Sequence, residues 1–92
     1  MSDDPREHVF LQITLARARV LRELSEGWKE REAAVRLGMT YNGVRSHVRD
    51  LKGITGCEDV DELGRWWRAN RKGWLRWLAT VTLSPSEPLT RS

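Results

Sequence analysis

The order of apolar and polar residues predicts a chain built from α-helices. Apolar side chains recur at intervals of three and four residues, and no segment alternates apolar and polar residues as a half-buried strand does. Asp4 with Pro5, and again Thr14, are typical of helix starts. The first part of the chain is therefore expected to form either a short helix followed by one over about 15–26, or a single helix that bends near Thr14.

Two further helices are predicted on either side of a very short turn. The first covers residues 30–37 and ends at Gly38. The second begins after the capping residue Thr40 and continues to about residue 53, where Gly53 lies near its end. We expect residues 14–57 to form the central part of the fold, preceded by a lead segment over 1–13.

The C-terminal part of the chain predicts one long helix or two shorter ones. Asp59 and Glu62 have the spacing of a capping box, so this part begins near Val60. The helix either continues to about residue 82 or is interrupted at Gly73. Residues 58–83 would thus pack as a C-terminal helical unit, and 84–92 would form a flexible tail. The predicted class is an all-α bundle of four to five helices.

Composition excludes several classes of protein. The 92 residues carry 16 Lys and Arg against 13 Asp and Glu, and the resulting net charge of +3 is too small to indicate a nucleic-acid partner by itself. The single cysteine, Cys57, rules out an internal disulfide and is expected to be a small buried side chain. No apolar run approaches the about 20 residues that span a bilayer, and the polar start lacks the features of a signal peptide. We expect a cytoplasmic protein with no membrane partner.

Residue patterns that indicate catalysis or metal binding are missing from the sequence. It shows no Ser/His/Asp order, no paired carboxylates, no Gly-rich phosphate loop and no Cys/His cluster. His8 and Cys57 have no partners at catalytic or ligand spacing, and His47 is expected to cap or pack rather than to ionise usefully. We expect no enzymatic activity, no metal and no cofactor.

The two helices around Gly38 have the layout of a helix-turn-helix. The helix over about 40–53 directs Val44, Val48 and Leu51 toward the core and carries polar and basic residues on its other side. Arginine can donate two hydrogen bonds to guanine in the major groove, so this side is expected to read bases through Asn42, Arg45, Ser46 and Arg49. Phosphate contacts are expected from Lys29, Arg31, Thr40, Tyr41 and Lys52.

An ordered set of residues at fixed spacing carries a family resemblance. The set is Ile13-Thr14, Val20-Leu21, Leu24, Glu26-Gly27, Glu32-Ala33-Ala34, Leu37-Gly38, Val44-Arg45-Ser46-His47, Leu51 and Gly56. Through it, residues 13–57 resemble, without a gap, the LuxR/GerE-type helix-turn-helix domain of bacterial transcription regulators. The resemblance implies a four-helix fold whose third helix reads the major groove and whose fourth often forms a dimer interface.

The resemblance also assigns roles to individual positions. It places Arg45, Ser46 and Arg49 at base-reading positions and Arg31 at a phosphate-contacting one. The sequence departs from the family at several places: Glu23 and Thr55 stand where the family has a core leucine, and Gly43 stands where it has a threonine. We expect altered packing at the first two positions, and at Gly43 a helix weakened by about 0.5–1 kcal/mol relative to alanine.

The segment rich in tryptophan and arginine has several interpretations. Residues 65–78 carry a charge of +5 and contain four of the five tryptophans. Its apolar positions have the spacing of a helix-packing stripe, and we favour a dimer interface formed by Leu63, Trp66, Trp67, Asn70, Trp74 and Trp77. The alternatives are that the tryptophans fill the domain's own core, that they bind RNA polymerase or another regulator, or that they contact a membrane surface or single-stranded nucleic acid.

The sequence therefore predicts a regulator of transcription that binds double-stranded DNA sequence-specifically as a homodimer. Two recognition helices would meet a palindromic site whose halves lie about 34 Å apart. The competing interpretation is a protein-interaction module derived from a helix-turn-helix, such as an anti-activator, that uses the Trp-rich segment to bind RNA polymerase or another regulator.

Overall fold

The computed structural model of the 92-residue chain describes residues 5–82. Within that range the chain folds into five α-helices and contains no β-strand, so the predicted all-α class is confirmed. The helices are α1 (Pro5–Phe10), α2 (Leu15–Ser25), α3 (Glu30–Leu37), α4 (Tyr41–Thr55) and α5 (Val60–Thr82). The predicted cap at Asp4 and the predicted tail over 84–92 lie outside the described residues.

A capping contact separates α1 from α2. Oγ1 of Thr14 accepts a hydrogen bond from the backbone N–H of Arg17 at 3.1 Å. This bond supplies a partner for one of the N–H groups that a helix leaves free at its start. The structure therefore has two helices here, which is the first of the two arrangements that the sequence predicts.

The turn between α3 and α4 combines a glycine with a second capping threonine. Gly38 has a φ of +68°, a left-handed conformation that glycine adopts without steric cost. Oγ1 of Thr40 then accepts from the N–H of Gly43 at 2.9 Å. Met39 is partly buried and packs against the core, to which Val44 belongs. As a result α3 and α4 contact each other directly, in a helix-turn-helix arrangement.

Helix α4 is longer than predicted. It ends at Thr55 rather than near residue 53, because Gly53 remains helical and Ile54 still packs against the core. Gly56, with a φ of +81°, ends the helix. Thr55 adds no unpaired polar group, since its hydroxyl donates to the carbonyl oxygen of Leu51 at 2.8 Å.

Helix α5 is continuous, so Gly73 does not divide it. At its start the N–H of Glu62 donates to Oδ1 of Asp59 at 2.8 Å, which is one half of the predicted capping box. The carboxylate of Glu62 accepts from the N–H of Glu58 at 2.7 Å instead of from that of Asp59. The 23 residues of α5 correspond to a helix about 34 Å long.

Helix α2 lies at the centre of the fold. It packs against α3 and α4 and makes its most extensive contacts with α5. Aromatic rings extend the core along α5: the ring centroids of Trp67 and Trp74 are 5.5 Å apart, and those of Phe10 and Trp77 are 6.2 Å apart. Fully buried side chains at the centre are Val20, Leu21, Val44, Leu51 and Leu63.

Two features of this packing concern Gly64, which the sequence prediction did not include, and Glu23, where altered packing was expected. Gly64 lies where α5 crosses the end of α2, and a Cβ atom added there would be 2.9 Å from the carbonyl oxygen of Leu24. Glu23 is buried, and its carboxylate is paired with Arg36 of α3. Between residues 5 and 82, no helix combines the length and the apolar composition needed to cross a bilayer.

Candidate nucleic-acid interface

Helix α4 has a buried apolar face and an exposed polar face. Val44, Val48 and Leu51 are at most 2% exposed and lie in the core. The opposite side carries the four residues predicted to read bases, all of them exposed: Asn42, Arg45, Ser46 and Arg49. Their hydrogen-bonding groups are therefore free to meet a ligand that approaches α4 from solvent.

These four residues share one shallow depression of about 470 Å³. Lys52, predicted to contact a phosphate, also lines it, as does Glu30 at the start of α3, an acidic residue for which the sequence predicts no role. The depression is lined by Glu30, Asn42, Arg45, Ser46, Val48, Arg49 and Lys52. The fold thus brings five of the nine predicted DNA-contacting residues onto a single surface.

The guanidinium of Arg49 lies near the carboxylate of Asp50, for which the sequence predicts no role. Its Nε lies 3.6 Å from Oδ1 of Asp50, and Nη2 of Arg17 donates to Oδ2 of the same carboxylate at 3.1 Å. Arg17 also donates from Nη1 to the carbonyl oxygen of Gln12 at 2.8 Å, so the pair links α4 to the loop before α2. Asp50 next to a basic residue was visible in the sequence, but its partner 33 positions away was not.

Arg31 and Arg45 meet at the ring of Tyr41. Cζ of Arg31 lies 4.5 Å from the ring centroid and Cζ of Arg45 lies 5.7 Å from it. Both distances are within the range of a cation–π contact. A residue of α3 and a residue of α4 are thus held at one ring, at the start of the candidate recognition helix.

The remaining predicted phosphate contacts lie around the same helix starts. Nζ of Lys29 is 3.9 Å from Oδ1 of Asp61, a pair so exposed that water screens most of its attraction. The hydroxyl oxygen of Thr40 accepts the capping hydrogen bond from Gly43, so its proton can still be donated to a phosphate oxygen. Lys29 and Thr40 therefore keep donors available beside the N-termini of α3 and α4.

The tryptophan-rich segment serves the chain's own core to a larger extent than predicted. Leu63, Trp67 and Trp74 are 0%, 5% and 4% exposed. This corrects the placement of three of the six residues predicted for an interface, because side chains buried in the core of the protomer have almost no area to offer to a second chain. The spacing that suggested a dimer stripe is satisfied inside one protomer.

The other three predicted interface residues are half-buried. Nδ2 of Asn70 donates to the carbonyl oxygen of Trp66 at 2.9 Å, one turn earlier in α5. Trp77 contacts Phe10 of α1. The indole N–H groups of Trp74 and Trp77 are buried and have no hydrogen-bond partner among the described residues.

The most exposed apolar residues of α5 lie near its C-terminal end. Leu75 is 54% exposed and Val81 is 48% exposed, with the half-buried Leu78 between them in the sequence. At three-residue spacing these side chains fall within an arc of about 120°. These three side chains are called the α5 strip here, and among the described residues its outer members Leu75 and Val81 keep about half of their surface exposed.

The chemistry available at α4 is that of binding. It offers guanidinium, amide, hydroxyl and ammonium donors on an exposed helix face. Over the range 5–82, no three His, Cys, Asp or Glu residues group in a way that could hold a metal ion. Cys57 is buried, as the sequence predicted.

Comparison with models of protein families finds no match to this chain, and comparisons with curated proteins and with solved structures find none either.

Proposed function

We propose that this protein regulates transcription by binding double-stranded DNA in a sequence-specific manner, as a homodimer in the cytoplasm, with α4 in the major groove. The observation that carries the proposal is the exposed face of α4. Asn42, Arg45, Ser46 and Arg49 are exposed and line one depression together with Glu30, Val48 and Lys52. The helix-turn-helix packing of α3 and α4 supports the same function.

The residue types on this face suit the edges of base pairs. The major groove is about 12 Å wide and admits an α-helix. Arg45 and Arg49 can each donate two hydrogen bonds to guanine, and Asn42 can pair with adenine through its amide. Ser46 is small, so it allows the helix backbone to approach the bases closely.

The surroundings of α4 suit the phosphate backbone. The first turns of α3 and α4 both border the depression, since Glu30 and Asn42 line it. Helix N-termini carry partial positive charge and free N–H groups, which favour phosphate. Lys29, Arg31 and Lys52 add full positive charges, and the hydroxyls of Thr40 and Tyr41 add donors.

The α5 strip supports self-association. Leu75 and Val81 expose apolar area in the protomer that a second copy would cover. A symmetric dimer would present two copies of α4 to half-sites about 34 Å apart and would select a palindromic site.

The experiment that tests the proposal is selection of bound sequences from a random pool of DNA duplexes, followed by binding titrations at several salt concentrations. A regulator that neutralises six phosphates should enrich one palindromic motif and show a log–log salt slope of about −5. Arg31→Gln should flatten that slope, whereas the matched control Arg76→Gln on α5 should leave it unchanged. Failure to enrich any motif, together with salt-independent binding, would refute the proposal.

A second candidate function is protein binding, and the surface of α3 favours it. Val35 is 82% exposed and Trp28 is 37% exposed, and both line a depression of about 340 Å³. A protein-interaction module of this kind would bind RNA polymerase or another regulator and have little affinity for DNA. The salt titration distinguishes the two functions, because binding through an apolar surface depends only weakly on salt.

A further inference from the structure

The ring of Tyr41 contacts two arginines that the sequence pattern does not connect. Arg31 comes from α3 and Arg45 from the second turn of α4, yet both guanidinium groups lie within 6 Å of the centroid of the same ring. Stacking on an aromatic face restricts a long, flexible side chain to few rotamers. The ring therefore determines where both charges point.

Among the described residues, these two arginines lack the acidic partner that three other arginines, one each in α2, α3 and α4, have. Arg17 and Arg49 are paired with Asp50, and Arg36 with Glu23. Arg31 and Arg45 make no ion pair with any carboxylate in the part of the chain that the structure describes. Two like charges at one ring repel each other, and a ligand rich in hydrogen-bond acceptors would relieve that repulsion.

We propose that Tyr41 is a positioning residue that makes Arg45 a reader of guanine. The inference rests on the proposed function and names the base that this part of the DNA site must contain. Guanine is the base that presents two acceptors, N7 and O6, in the major groove, and a guanidinium binds both with parallel hydrogen bonds. An arginine already held on a ring loses less freedom when it forms them.

The same geometry separates the roles of the three arginines near α4. Arg45 lies within cation–π distance of the ring and makes no ion pair among the described residues, so it supplies the stronger base preference. Arg49 lies 3.6 Å from Asp50, an exposed pair that water largely screens. Within residues 5–82 it has no aromatic ring to direct it, so its base contact is less positioned than that of Arg45. Arg31 approaches the ring from α3 and contacts the phosphate next to the guanine.

The test uses the full chain and the duplex motif that the wild-type protein selects. Affinity is measured at one salt concentration for that duplex and for versions in which each guanine is replaced in turn. We expect one guanine per half-site to matter most. Tyr41→Phe keeps the ring and should keep this preference, whereas Tyr41→Leu should reduce it by about tenfold or more.

Arg45 provides the matched comparison. Arg45→Ala should abolish the preference for the same guanine, and adding Tyr41→Leu to it should reduce the preference no further, because the ring acts through Arg45. In the free protein, the Nε–H proton resonance of Arg45 should carry a ring-current shift that Tyr41→Phe retains and Tyr41→Leu removes. This measurement needs no DNA, and thermal melting shows that each variant is folded.

Three results would overturn the inference. Tyr41→Leu could bind with an undiminished guanine preference, which means that the ring does not position Arg45. Tyr41→Phe could lose the guanine preference as Tyr41→Leu does, which would assign the positioning role to the hydroxyl and not to the ring. If the wild-type protein selects no duplex, the proposed function itself fails, and that outcome is recognised before any variant is compared.

Discussion

Arg36 of α3 donates a hydrogen bond from Nε to Oε1 of Glu23, whose side chain is only 5% exposed. The guanidinium also lies over the ring of Trp28, with Cζ 4.5 Å from the centroid. Nη2 of the same guanidinium lies 3.9 Å from Oε1 of Glu26. One side chain of α3 thus neutralises a buried carboxylate of α2 and joins the first two helices of the central fold.

This geometry predicts an asymmetry between the two partners. Arg36→Ala leaves the carboxylate buried without a counter-ion, and we expect a loss of about 2–3 kcal/mol in the free energy of unfolding, at the lower end of values for buried pairs because Arg36 is 43% exposed. Glu23→Leu replaces the buried group by an apolar one of similar size and should be close to neutral. Urea unfolding measures both.

The double variant supplies the control. In the Glu23→Leu background, Arg36→Ala should cost less than about 1 kcal/mol, because no buried charge is left unpaired. Equal losses in the two backgrounds would show that Arg36 stabilises the fold through its contact with Trp28 and not through Glu23.

The fold was predictable because its helix boundaries are decided by neighbouring residues. Thr14, Gly38 and Thr40 act on backbone groups no more than four positions away, so their identity and spacing are sufficient. The end of α4 differs from its predicted position because a tertiary contact decides it. Glycine is typical of helix ends, but packing of Ile54 against the core continues the helix for two residues beyond Gly53.

The candidate site was predictable only in part, because tertiary contacts decide the rest. The amphipathic pattern of α4 separates the base-reading face from the core face without further information. The stripe of Trp67 and Trp74 has the same spacing whether it meets a second chain or α2, so the pattern could not choose between them. The pairing of Asp50 with Arg17 joins distant positions and leaves no local signal.

Gly64 predicts an effect opposite in sign to ordinary helix propensity. Alanine in the middle of a helix usually stabilises it, but a Cβ at position 64 would lie 2.9 Å from the carbonyl oxygen of Leu24 and 3.1 Å from Cα of Ser25. Because these are backbone atoms, α5 has to move away from α2. We expect Gly64→Ala to lower the free energy of unfolding by about 1–3 kcal/mol in denaturant titrations.

The matched control for this substitution is Gly53→Ala. Gly53 is helical and exposed, and a Cβ added there has nothing within 4 Å. It should raise the free energy of unfolding by about 0.5–1 kcal/mol. If both variants stabilise the protein, α5 does not approach α2 as closely as the structure shows.

Gly43 predicts a coupling between a cap and a helix position. A Cβ there would lie 2.9 Å from Oγ1 of Thr40, the atom that accepts the capping bond. Gly43→Ala should therefore give no net stabilisation in the wild-type protein, because displacing the cap offsets the gain in propensity. In a Thr40→Ala background the same change should stabilise by about 0.5–1 kcal/mol.

A double-mutant cycle measured by thermal melting isolates this coupling. The interaction free energy between positions 40 and 43 should be about 0.5 kcal/mol or more. Additive effects would show that the hydroxyl of Thr40 can move aside without cost. The presence of glycine at position 43 would then need a different explanation.

The DNA-binding proposal predicts two distinguishable losses. Arg45→Ala should weaken binding to the selected duplex by about 1–3 kcal/mol and relax the preference at one position, since Arg45 lies on the exposed face of α4. Arg31→Ala should weaken binding to all sequences alike and reduce the magnitude of the log–log salt slope by about 1. Fluorescence anisotropy with matched and scrambled duplexes measures both effects.

The α5 strip predicts which substitutions separate a dimer without unfolding the protomer. Leu75 and Val81 are about half exposed, so Leu75→Glu and Val81→Glu should leave the melting temperature of the isolated protomer nearly unchanged. Burying a charge between two copies is unfavourable, and we expect each substitution to raise the self-association Kd about tenfold or more. Leu11→Glu is the matched control, because Leu11 is 64% exposed but lies between α1 and α2.

Sedimentation velocity over a concentration series measures the dimer fraction of each variant. If the dimer survives both α5 substitutions and Leu11→Glu separates it, the interface lies at the start of the chain instead. Loss of the dimer should also weaken binding to the palindromic duplex more than binding to a single half-site, because only the dimer engages both halves at once.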